Sequence, residues 1–238
     1  MYFAELHEDE VKAAVEAAPV LFLPIGAVEV HGAHLPLATD TLLARGVAEL
    51  AAKKIPGSLI LPEIPYGQVW SLRDFPGSIT INDTTLAHFI ADIGRSLDRA
   101  GAKKLALVNG HFGNLMAIKE AARMLYETCS IKVYYFTYPG AEAEIERVCE
   151  TKRPHKTYMH ACEIETSYML YLAGGHVDMG RAAANYPDFP PDFDSSPVPW
   201  SRVLTTAVMG DPSAASGEKG RVIIDAVVDR MVKIIAAS

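Results

Sequence analysis

Short apolar segments alternate along this chain with segments of helical hydrophobic periodicity, and this alternation restricts the fold more than any other feature. The first apolar segment is 20–25, and it precedes the segment 40–54, in which leucine and valine recur at helical spacing. Further apolar segments lie at 58–61, 104–108 and 131–136. Because strands that alternate with helices generally pair in parallel, we predict an α/β fold: a three-layer α/β/α arrangement, with a mostly parallel sheet and helices on both faces.

Capping and chain-breaking residues indicate where the helices begin and end. Thr39 or Asp40 is suited to cap the helix after the first strand, and Asp83 is suited to cap the helix that ends before Gly101. Five prolines between residues 185 and 200 predict an extended loop. Since no shift in composition marks a linker, we expect a single domain over 1–238. The predicted helices are 40–54, 84–100, 114–127, 141–150, 161–172 and 217–236.

Charge and cysteine content exclude several classes of protein. The chain has 22 Lys and Arg against 29 Asp and Glu, and this net charge of −7 is unfavourable for nucleic acid or anionic membranes, because phosphate contact needs a basic face. Three scattered cysteines do not suit a disulfide framework and indicate a reduced, cytoplasmic protein. No apolar segment reaches the roughly 18 residues of a membrane span, and the acidic start of the chain does not resemble a signal peptide. We therefore expect a cytoplasmic protein whose partner is a small-molecule substrate.

Polar side chains of the types used in catalysis collect in three short segments. The first, 29–40, directly follows the first predicted strand, the second is 109–114 after a later strand, and the third is 160–167. In open α/β sheets the ligand binds beyond the carboxyl ends of the strands. Because two of the three segments begin where a predicted strand ends, they can converge on one site.

The residue types in these segments suit a divalent metal ion. Glu29 and His31 are two positions apart, which places both side chains on one side of an extended segment. Imidazoles and carboxylates together are ligands for zinc, manganese or iron, so Asp40 and His111 complete a candidate site. If Asp40 bridged two ions, they would lie roughly 3.5–4 Å apart and would generate a hydroxide nucleophile near neutral pH. Spacing alone leaves an acid–base site without metal as the alternative.

Structural roles compete with this interpretation at individual positions. Asp40 is also a good helix cap, and His34 could instead bond to a backbone carbonyl. Glu165 shares the apolar side of its predicted helix, where a carboxylate needs a partner or a metal. Glu163 lies off that side, and we expect it to be solvated. We expect structural or surface positions, without partners, for His7, His88, His155 and His176.

A loop after the second predicted strand, 70–77, is expected on the same rim of the sheet. Trp70 can pack beneath this loop or form the wall of a pocket. Arg73 can pair with Asp74 or bind an anionic group of a substrate. Lys156 is a second cation that we expect near this rim. The two cations together predict a substrate that has an anionic or heavily hydroxylated part.

The three polar segments together resemble the creatininase family of metal-dependent amidohydrolases, over about residues 24–220. The family's first motif stands here as Pro24-Ile-Gly-Ala-Val-Glu-Val-His-Gly-Ala-His-Leu-Pro36, followed by Asp40. The second stands as Asn109-Gly-His-Phe-Gly-Asn114, and the third as His160-Ala-Cys-Glu-Ile-Glu-Thr-Ser167. Three long motifs in the same order make this resemblance highly specific.

The resemblance implies a creatininase-like α/β fold with two divalent ions per chain, zinc, manganese or iron, in a homo-oligomer such as a hexamer. By matched position, Glu29 and His111 would hold one ion, His31 and Glu165 would hold the other, and Asp40 would bridge them. His160 would be the general acid and base that moves a proton to the leaving nitrogen. We expect substrate contacts from Trp70, Arg73 and Phe112, and supporting contacts around the ligands from His34, Asn109 and Asn114.

Departures from the family pattern bear on the substrate. Creatininase proper has a tyrosine and a glutamate where this chain has Phe112 and Gly113, two pocket tryptophans where it has Pro139 and Lys156, and an acid at Met159. The chemical machinery is therefore retained, but the creatinine pocket is not. We expect a hydrolase that cleaves a cyclic amide, a formamide or another C–N amide bond, and not creatinine.

Two other functions stay open from the sequence. Formamidopyrimidine deformylases, mycofactocin-peptide peptidases and an inosose-ring hydrolase share these metal motifs, so a ring-opening hydrolase of a cyclic polyol ketone is the first alternative. A non-catalytic metal-binding protein is the second. The intact His160 argues against the second, because a purely structural metal site needs no adjacent acid or base.

Overall fold

The computed structural model describes residues 1–237, and its elements follow the predicted order along the chain. The strands are β1 (Leu21–Ile25), β2 (Leu59–Ile60), β3 (Lys104–Asn109) and β4 (Lys132–Phe136). The α-helices are α1 (Glu8–Ala17), α2 (Thr39–Lys54), α3 (Asp83–Arg99), α4 (Leu115–Thr128), α5 (Ala141–Val148), α6 (Glu163–Ala173) and α7 (Gly217–Ala236). Among these helices, none combines the length and the apolar content that crossing a bilayer requires.

The strands of residues 1–237 form one parallel sheet in the order β2-β1-β3-β4. Leu21 pairs with Leu105 and Ile25 with Asn109, so β1 and β3 end at the same level. The prediction of a mostly parallel sheet is confirmed. Because β1 and β3 are the inner strands, the segments that leave their carboxyl ends begin side by side at the centre of the rim.

Helices cover both faces of the sheet, which confirms the three-layer arrangement. Phe22 and its neighbours on one face pack against α2, α5, α6 and α7. Leu21 and Leu23 on the other face pack against α1, α3 and α4. Burial of each such side chain contributes about 1.5–3 kcal/mol, so the strands are held rigidly between the two helical layers.

Helix starts differ from the prediction where a site residue is involved. The N-cap of α2 is Ala38, and neither Thr39 nor Asp40 caps it: the Thr39 hydroxyl donates to the Pro36 carbonyl, and the Asp40 side chain is buried elsewhere. The N-cap of α3 is Asn82 rather than Asp83. Helix α1 was not predicted; Val15 is the one buried residue of this helix.

Two glycines let the first turn of α2 pack directly on the ends of β1 and β3. A Cβ atom on Gly26 would lie 2.2 Å from the Thr41 hydroxyl, and one on Gly110 would lie 2.1 Å from the Asp40 carbonyl oxygen. No larger residue fits at either position without moving the backbone. This contact brings Asp40 to the centre of the strand ends.

Candidate active site

The five side chains predicted as metal ligands lie together beyond the strand ends and are all buried. His31 Nε2 is 3.4 Å from Asp40 Oδ1 and 3.6 Å from Glu165 Oε2. His111 Nδ1 is 3.1 Å from Asp40 Oδ2 and 3.3 Å from Glu29 Oε2. Asp40 therefore lies between the two imidazoles, with one carboxylate oxygen towards each.

The imidazoles around this cluster share one orientation. His31 Nδ1 is 3.1 Å from the Glu29 carbonyl oxygen, and His111 Nε2 is 2.8 Å from the Gln68 carbonyl oxygen. His160 Nε2 is likewise 2.7 Å from the carbonyl oxygen of Val30. Since a carbonyl only accepts, each of these outer nitrogens carries the proton and donates it. In the neutral ring, the inner nitrogen then presents a lone pair to the carboxylates, which is the orientation of histidines that bind metals.

The carboxylates and imidazoles of the cluster shift one another's pKa values strongly. Burial raises the pKa of Glu29 to about 7. Burial alone would lower the pKa of His111, but the Glu29 and Asp40 carboxylates outweigh it and raise this pKa to about 10. Burial also opposes the charge on His31, yet Asp40 and Glu165 raise its pKa well above the usual value. The three carboxylates thus need positive charge between them, which protons or metal ions can supply.

The donor set fits divalent metal ions. His31 Nε2 and Asp40 Oδ2 are buried near opposite charges but make no hydrogen bond within the described chain, so two potential ligand atoms are not satisfied by hydrogen bonding. Such atoms are costly to bury unless a cation or a donor satisfies them. Ligand atoms within 4.8 Å of one another occur in the groups Glu29/Asp40/His111, His31/Asp40/Glu165 and Glu29/His31/His160. Asp40 belongs to the first two groups, as a bridging residue would.

His160 lies at the edge of the cluster. Its Nδ1 is 3.9 Å from both Glu29 Oε2 and Glu165 Oε2, and its ring centroid is 4.2 Å from that of His31. Burial and the neighbouring charge of His31 lower the pKa of His160 to about 4. The imidazole is therefore neutral near pH 7, with a free Nδ1 that can accept a proton.

The three residues expected to support the ligands all bond within the site. The Asn109 side chain donates to the His111 carbonyl oxygen (2.7 Å) and accepts from the backbone N–H of His111 (3.2 Å). The Asn114 side chain donates to the Gly26 carbonyl oxygen (2.9 Å) and accepts from the Gln68 N–H (2.9 Å). His34 Nε2 is 2.9 Å from the Thr166 hydroxyl, so its partner is a side chain of α6 and not a backbone carbonyl.

A cavity of about 370 Å³ opens onto the cluster. Four of the five clustered carboxylate and imidazole side chains line it together with His160, whereas His31 lies deeper. Most of the remaining lining is apolar. Among the residues that the structure describes, no lysine or arginine lines this cavity. Its apolar residues are Val69, Phe112, Leu115, Tyr158, Met159 and Trp200.

Of the side chains predicted to contact substrate, some line this cavity and others do not. Phe112 lines the cavity, whereas Trp70 and Arg73 do not. The Arg73 guanidinium lies 4.9 Å above the Trp70 ring, and its Nε is 3.6 Å from the Asp74 carboxylate, so both groups are occupied within their own loop. Lys156 is 78% exposed and lies 3.4 Å from Asp194, outside the cavity lining.

Two expectations about polar residues near the site are wrong. Glu163 is not solvated: it is fully buried, and it accepts hydrogen bonds from the backbone of Glu150 and Thr151 and from Lys219 Nζ. Its solvation was misjudged because its partners come from a loop and from α7, far along the chain. His155 does not lack a partner, since its Nε2 is 3.3 Å from Asp194.

Trp200 lines the cavity beside His160, although no motif in the sequence predicts this position. It belongs to the proline-rich segment, which the periodic pattern describes only as a loop. The chain has two tryptophans, and only long-range contacts decide which of them faces the cluster. The preceding prolines were the sole local signal of a fixed loop.

Comparison with known proteins gives consistent relatives over nearly the whole chain. The family model for creatininase, described as creatinine amidohydrolase, matches residues 4–235. Creatinine amidohydrolase of Pseudomonas putida is 30% identical over 99% of this chain and 96% of its own length. Mycofactocin precursor peptide peptidase of Mycobacterium tuberculosis is 33% identical over 92% of this chain and 85% of its own length. The 3-dehydro-scyllo-inosose hydrolase of Thermotoga maritima is 24% identical over 99% of this chain and 82% of its own length.

Solved structures give the same result for the fold. The crystal structure of a creatinine amidohydrolase superposes with a TM-score of 0.85 at 32% identity, covering 99% of this chain and 96% of that one. A mutant creatininase described as the Zn-Zn type also gives 0.85 at 32% identity, with 99% and 97% covered. The predicted α/β arrangement is therefore shared by known hydrolases of similar length.

Proposed function

This chain belongs to the creatininase family of metal-dependent amidohydrolases, and from this premise we propose that it hydrolyses a C–N amide bond in a cyclic amide, a formamide or another small amide other than creatinine. The positions of Phe112 and Gly113, where creatininase proper has a tyrosine and a glutamate, support the exclusion of creatinine. We further propose a single domain in a cytoplasmic homo-oligomer. The scattered cysteines and net charge of −7 support the location, and the family resemblance supports the assembly.

The observation that carries this proposal is the inward orientation of the imidazoles around three buried carboxylates. Glu29 and His111 would hold one divalent ion, His31 and Glu165 the other, and Asp40 would bridge both. Two ions so held would lower the pKa of a water molecule and polarise the scissile carbonyl group. Zinc and manganese are both compatible with imidazole and carboxylate ligands.

His160 is the residue proposed to transfer the proton. Its Nδ1 accepts a proton from the attacking water and then donates it to the leaving nitrogen. The hydrogen bond from Nε2 to the Val30 carbonyl oxygen, 2.7 Å long, fixes the ring and stabilises the imidazolium that forms between these steps. The carboxylates of Glu29 and Glu165, each 3.9 Å from Nδ1, stabilise the same charge.

Ring opening of a cyclic polyol ketone is the second candidate, since one relative is named as an inosose hydrolase. The apolar part of the cavity lining argues against it, because a polyol needs a polar partner for most of its hydroxyl groups. Metal binding without catalysis is a weaker candidate. His160 has the orientation and neutral state of a proton acceptor, which such a protein would not need.

A substrate screen tests the proposal. Protein reconstituted with zinc or manganese is assayed against lactams, N-formyl compounds, short peptides and cyclic ketones, with creatinine as the expected poor substrate. We expect turnover of at least one amide, lost after chelation and restored by metal. Turnover of cyclic ketones alone would favour the second candidate, and absence of all turnover in metal-loaded protein would contradict an enzymatic role.

Metal content tests the ligand assignment separately. We expect elemental analysis to find close to two divalent ions per chain, and we expect Asp40→Ala to lose both ions because it would bridge them. Asp74→Ala, an exposed acid in the neighbouring loop, is the matched control and should keep both. Retention of both ions by the Asp40 variant would show that this carboxylate is not a bridging ligand.

A further inference from the structure

Trp200 occupies a fixed position at the wall of the cavity. Its backbone N–H donates to the Ser71 carbonyl oxygen (2.8 Å), and its carbonyl oxygen accepts from the Leu204 N–H (2.7 Å). The neighbouring Ser201 hydroxyl donates to the Asp74 carboxylate at 2.6 Å. Trp200 thus joins the proline-rich segment to the 70–77 loop. Its ring also packs against the buried cluster that contains Leu72 and Leu204, so it is positioned before a ligand arrives and can bind at low entropic cost.

The Trp200 ring faces both the proton-transfer residue and the apolar lining. Its centroid is 6.0 Å from the His160 ring at an interplanar angle of 71°, and 5.8 Å from the Tyr158 ring at 68°. Phe112, which is 49% exposed, lines the same cavity. A group attached to an amide carbon or nitrogen that reacts beside His160 would therefore lie against an aromatic wall.

The charge of this wall limits what can bind there. The two cations that the sequence suggested for substrate binding are engaged outside this lining: Arg73 lies over Trp70, and Lys156 lies 3.4 Å from Asp194. The polar side chains that the lining adds outside the cluster and His160 are neutral (Gln68, Ser71, Thr157 and Tyr158), so a carboxylate or phosphate placed against Trp200 and Phe112 would lose water without gaining a cationic side chain as partner. A flat, uncharged group would instead gain both apolar burial and stacking on the rings.

We propose that Trp200, with Phe112 and Tyr158, is a substrate-binding residue that selects amides whose substituent beside the scissile bond is planar and uncharged. The choice of amides as the substrate class rests on the proposed amide hydrolysis. The binding of a planar group against Trp200 does not depend on it. It replaces the expectation from the sequence that Arg73 and Lys156 select an anionic or heavily hydroxylated substrate.

Binding to a single-tryptophan variant tests this inference without any need for turnover. Trp70→Phe leaves Trp200 as the one tryptophan in the chain. Metal-loaded Trp70→Phe protein is titrated with benzamide, and we expect a saturable change in Trp200 emission. Trp200→Phe, which keeps only Trp70, is the matched control, and its emission should not respond. No saturable response from Trp200 would overturn the inference.

Affinities measured by calorimetry provide the second arm. The unsubstituted protein should bind benzamide about tenfold more tightly than acetamide, which is the upper range for one aromatic contact. It should also prefer benzamide to the non-planar cyclohexanecarboxamide and to the anionic 4-carbamoylbenzoate. In Trp200→Leu, the preference for benzamide over cyclohexanecarboxamide should disappear. The same preference in the protein and this variant would contradict a role for Trp200.

The two arms separate this inference from the proposed function. If benzamide binds through Trp200 but no amide is hydrolysed, the proposed function fails and the binding role stands. If amides are hydrolysed, Trp200→Leu should raise KM for a planar amide about tenfold while kcat stays within about threefold, because the contact is made equally in the ground and transition states. Amide hydrolysis with KM unchanged in this variant would contradict the inference alone.

Discussion

At the residue scale, backbone carbonyl groups decide which ring nitrogen of three histidines faces the buried cluster. The carbonyl oxygens of Glu29, Gln68 and Val30 each accept from the outer nitrogen of one histidine. The inner nitrogens differ only in what they face. His31 and His111 approach carboxylates to within 3.4 and 3.1 Å, whereas His160 stays 3.9 Å away. This difference supports a ligand role for the first two and a proton-transfer role for the third.

Substitution of His160 tests that division of roles. His160→Ala should keep its metal ions and lower kcat by roughly a hundredfold or more, the range for loss of a general acid and base. The measurement is steady-state turnover of the amide found in the screen, with metal content determined on the same sample. His88→Ala, at an exposed histidine of α3, is the control and should change neither quantity. If His160→Ala folds but loses metal, His160 is a ligand and the proton-transfer role is wrong.

At the element scale, the first turn of α6 fixes the loop that carries His160. Glu163 accepts from the backbone N–H groups of Glu150 and Thr151 and pairs with Lys219 of α7 at 2.6 Å. Two residues further along, Glu165 Oε2 accepts from the Ala161 N–H at 2.6 Å. One helical turn therefore carries the candidate ligand Glu165 and also fixes, through hydrogen bonds, the loop that forms one wall of the cavity.

Removal of Lys219 should destabilise the fold strongly. The Glu163 side chain is 1% exposed and that of Lys219 is 15% exposed, so Lys219→Met leaves a buried charge without its counterion, which costs about 3–5 kcal/mol. Lys54→Met is the matched control, because Lys54 pairs with Asp229 of the same helix α7 at 2.5 Å but in solvent. Its cost should stay within about 1 kcal/mol. Urea unfolding of both variants measures the difference, and equal costs would contradict a structural role for the Lys219 pair.

Strands and helices could be predicted from the sequence where the residues that indicate them lie within the same short segment. Apolar runs located the strands to within one or two residues, and α7 was predicted with its observed bounds, since its apolar stripe and flanking glycine lie within one segment. The caps predicted at Thr39 or Asp40 and at Asp83 were wrong, because the Asp40 side chain lies in the buried cluster and Asn82 precedes Asp83 as the cap. Residues brought in by distant loops, above all Trp200 and the partners of Glu163, had no local signal.

At the scale of the whole molecule, the buried cluster links folding to pH and to metal. The pKa of His111 is raised to about 10, and that of His31 is raised well above its usual value. Groups whose pKa rises on folding bind more protons in the folded state, so their stabilisation is complete below the unfolded value near 6.5 and is lost as pH rises through the folded value. Metal ions compete with these protons, so metal binding strengthens over the same interval.

Thermal unfolding across this interval checks the linkage. The Tm of chelator-treated protein should fall between pH 6.5 and 9.5, and the Tm gained on adding zinc or manganese should increase over the same range, because the folded metal-free state loses bound protons as the ligands become available. His111→Gln should show a smaller slope in the metal-free protein. A Tm of metal-free protein that stays constant or rises over this interval would contradict the protonated cluster.

The contacts of Gly26 and Gly110 place α2 on the strand ends. The reactive cluster and the aromatic wall of the cavity come from different parts of the chain. Asp40 and Glu165 lie on helices and the other clustered side chains on segments that directly follow β1 and β3, whereas the Trp200 wall comes from a long irregular segment that packs on the 70–77 loop. Substitution of the exposed residues of that segment would thus leave the reactive centre where it is. A scaffold divided in this way allows the exposed positions within residues 185–204 to be randomised while the buried Phe193 and Leu204 are kept, so that selectivity can be evolved in the laboratory without redesign of the chemistry.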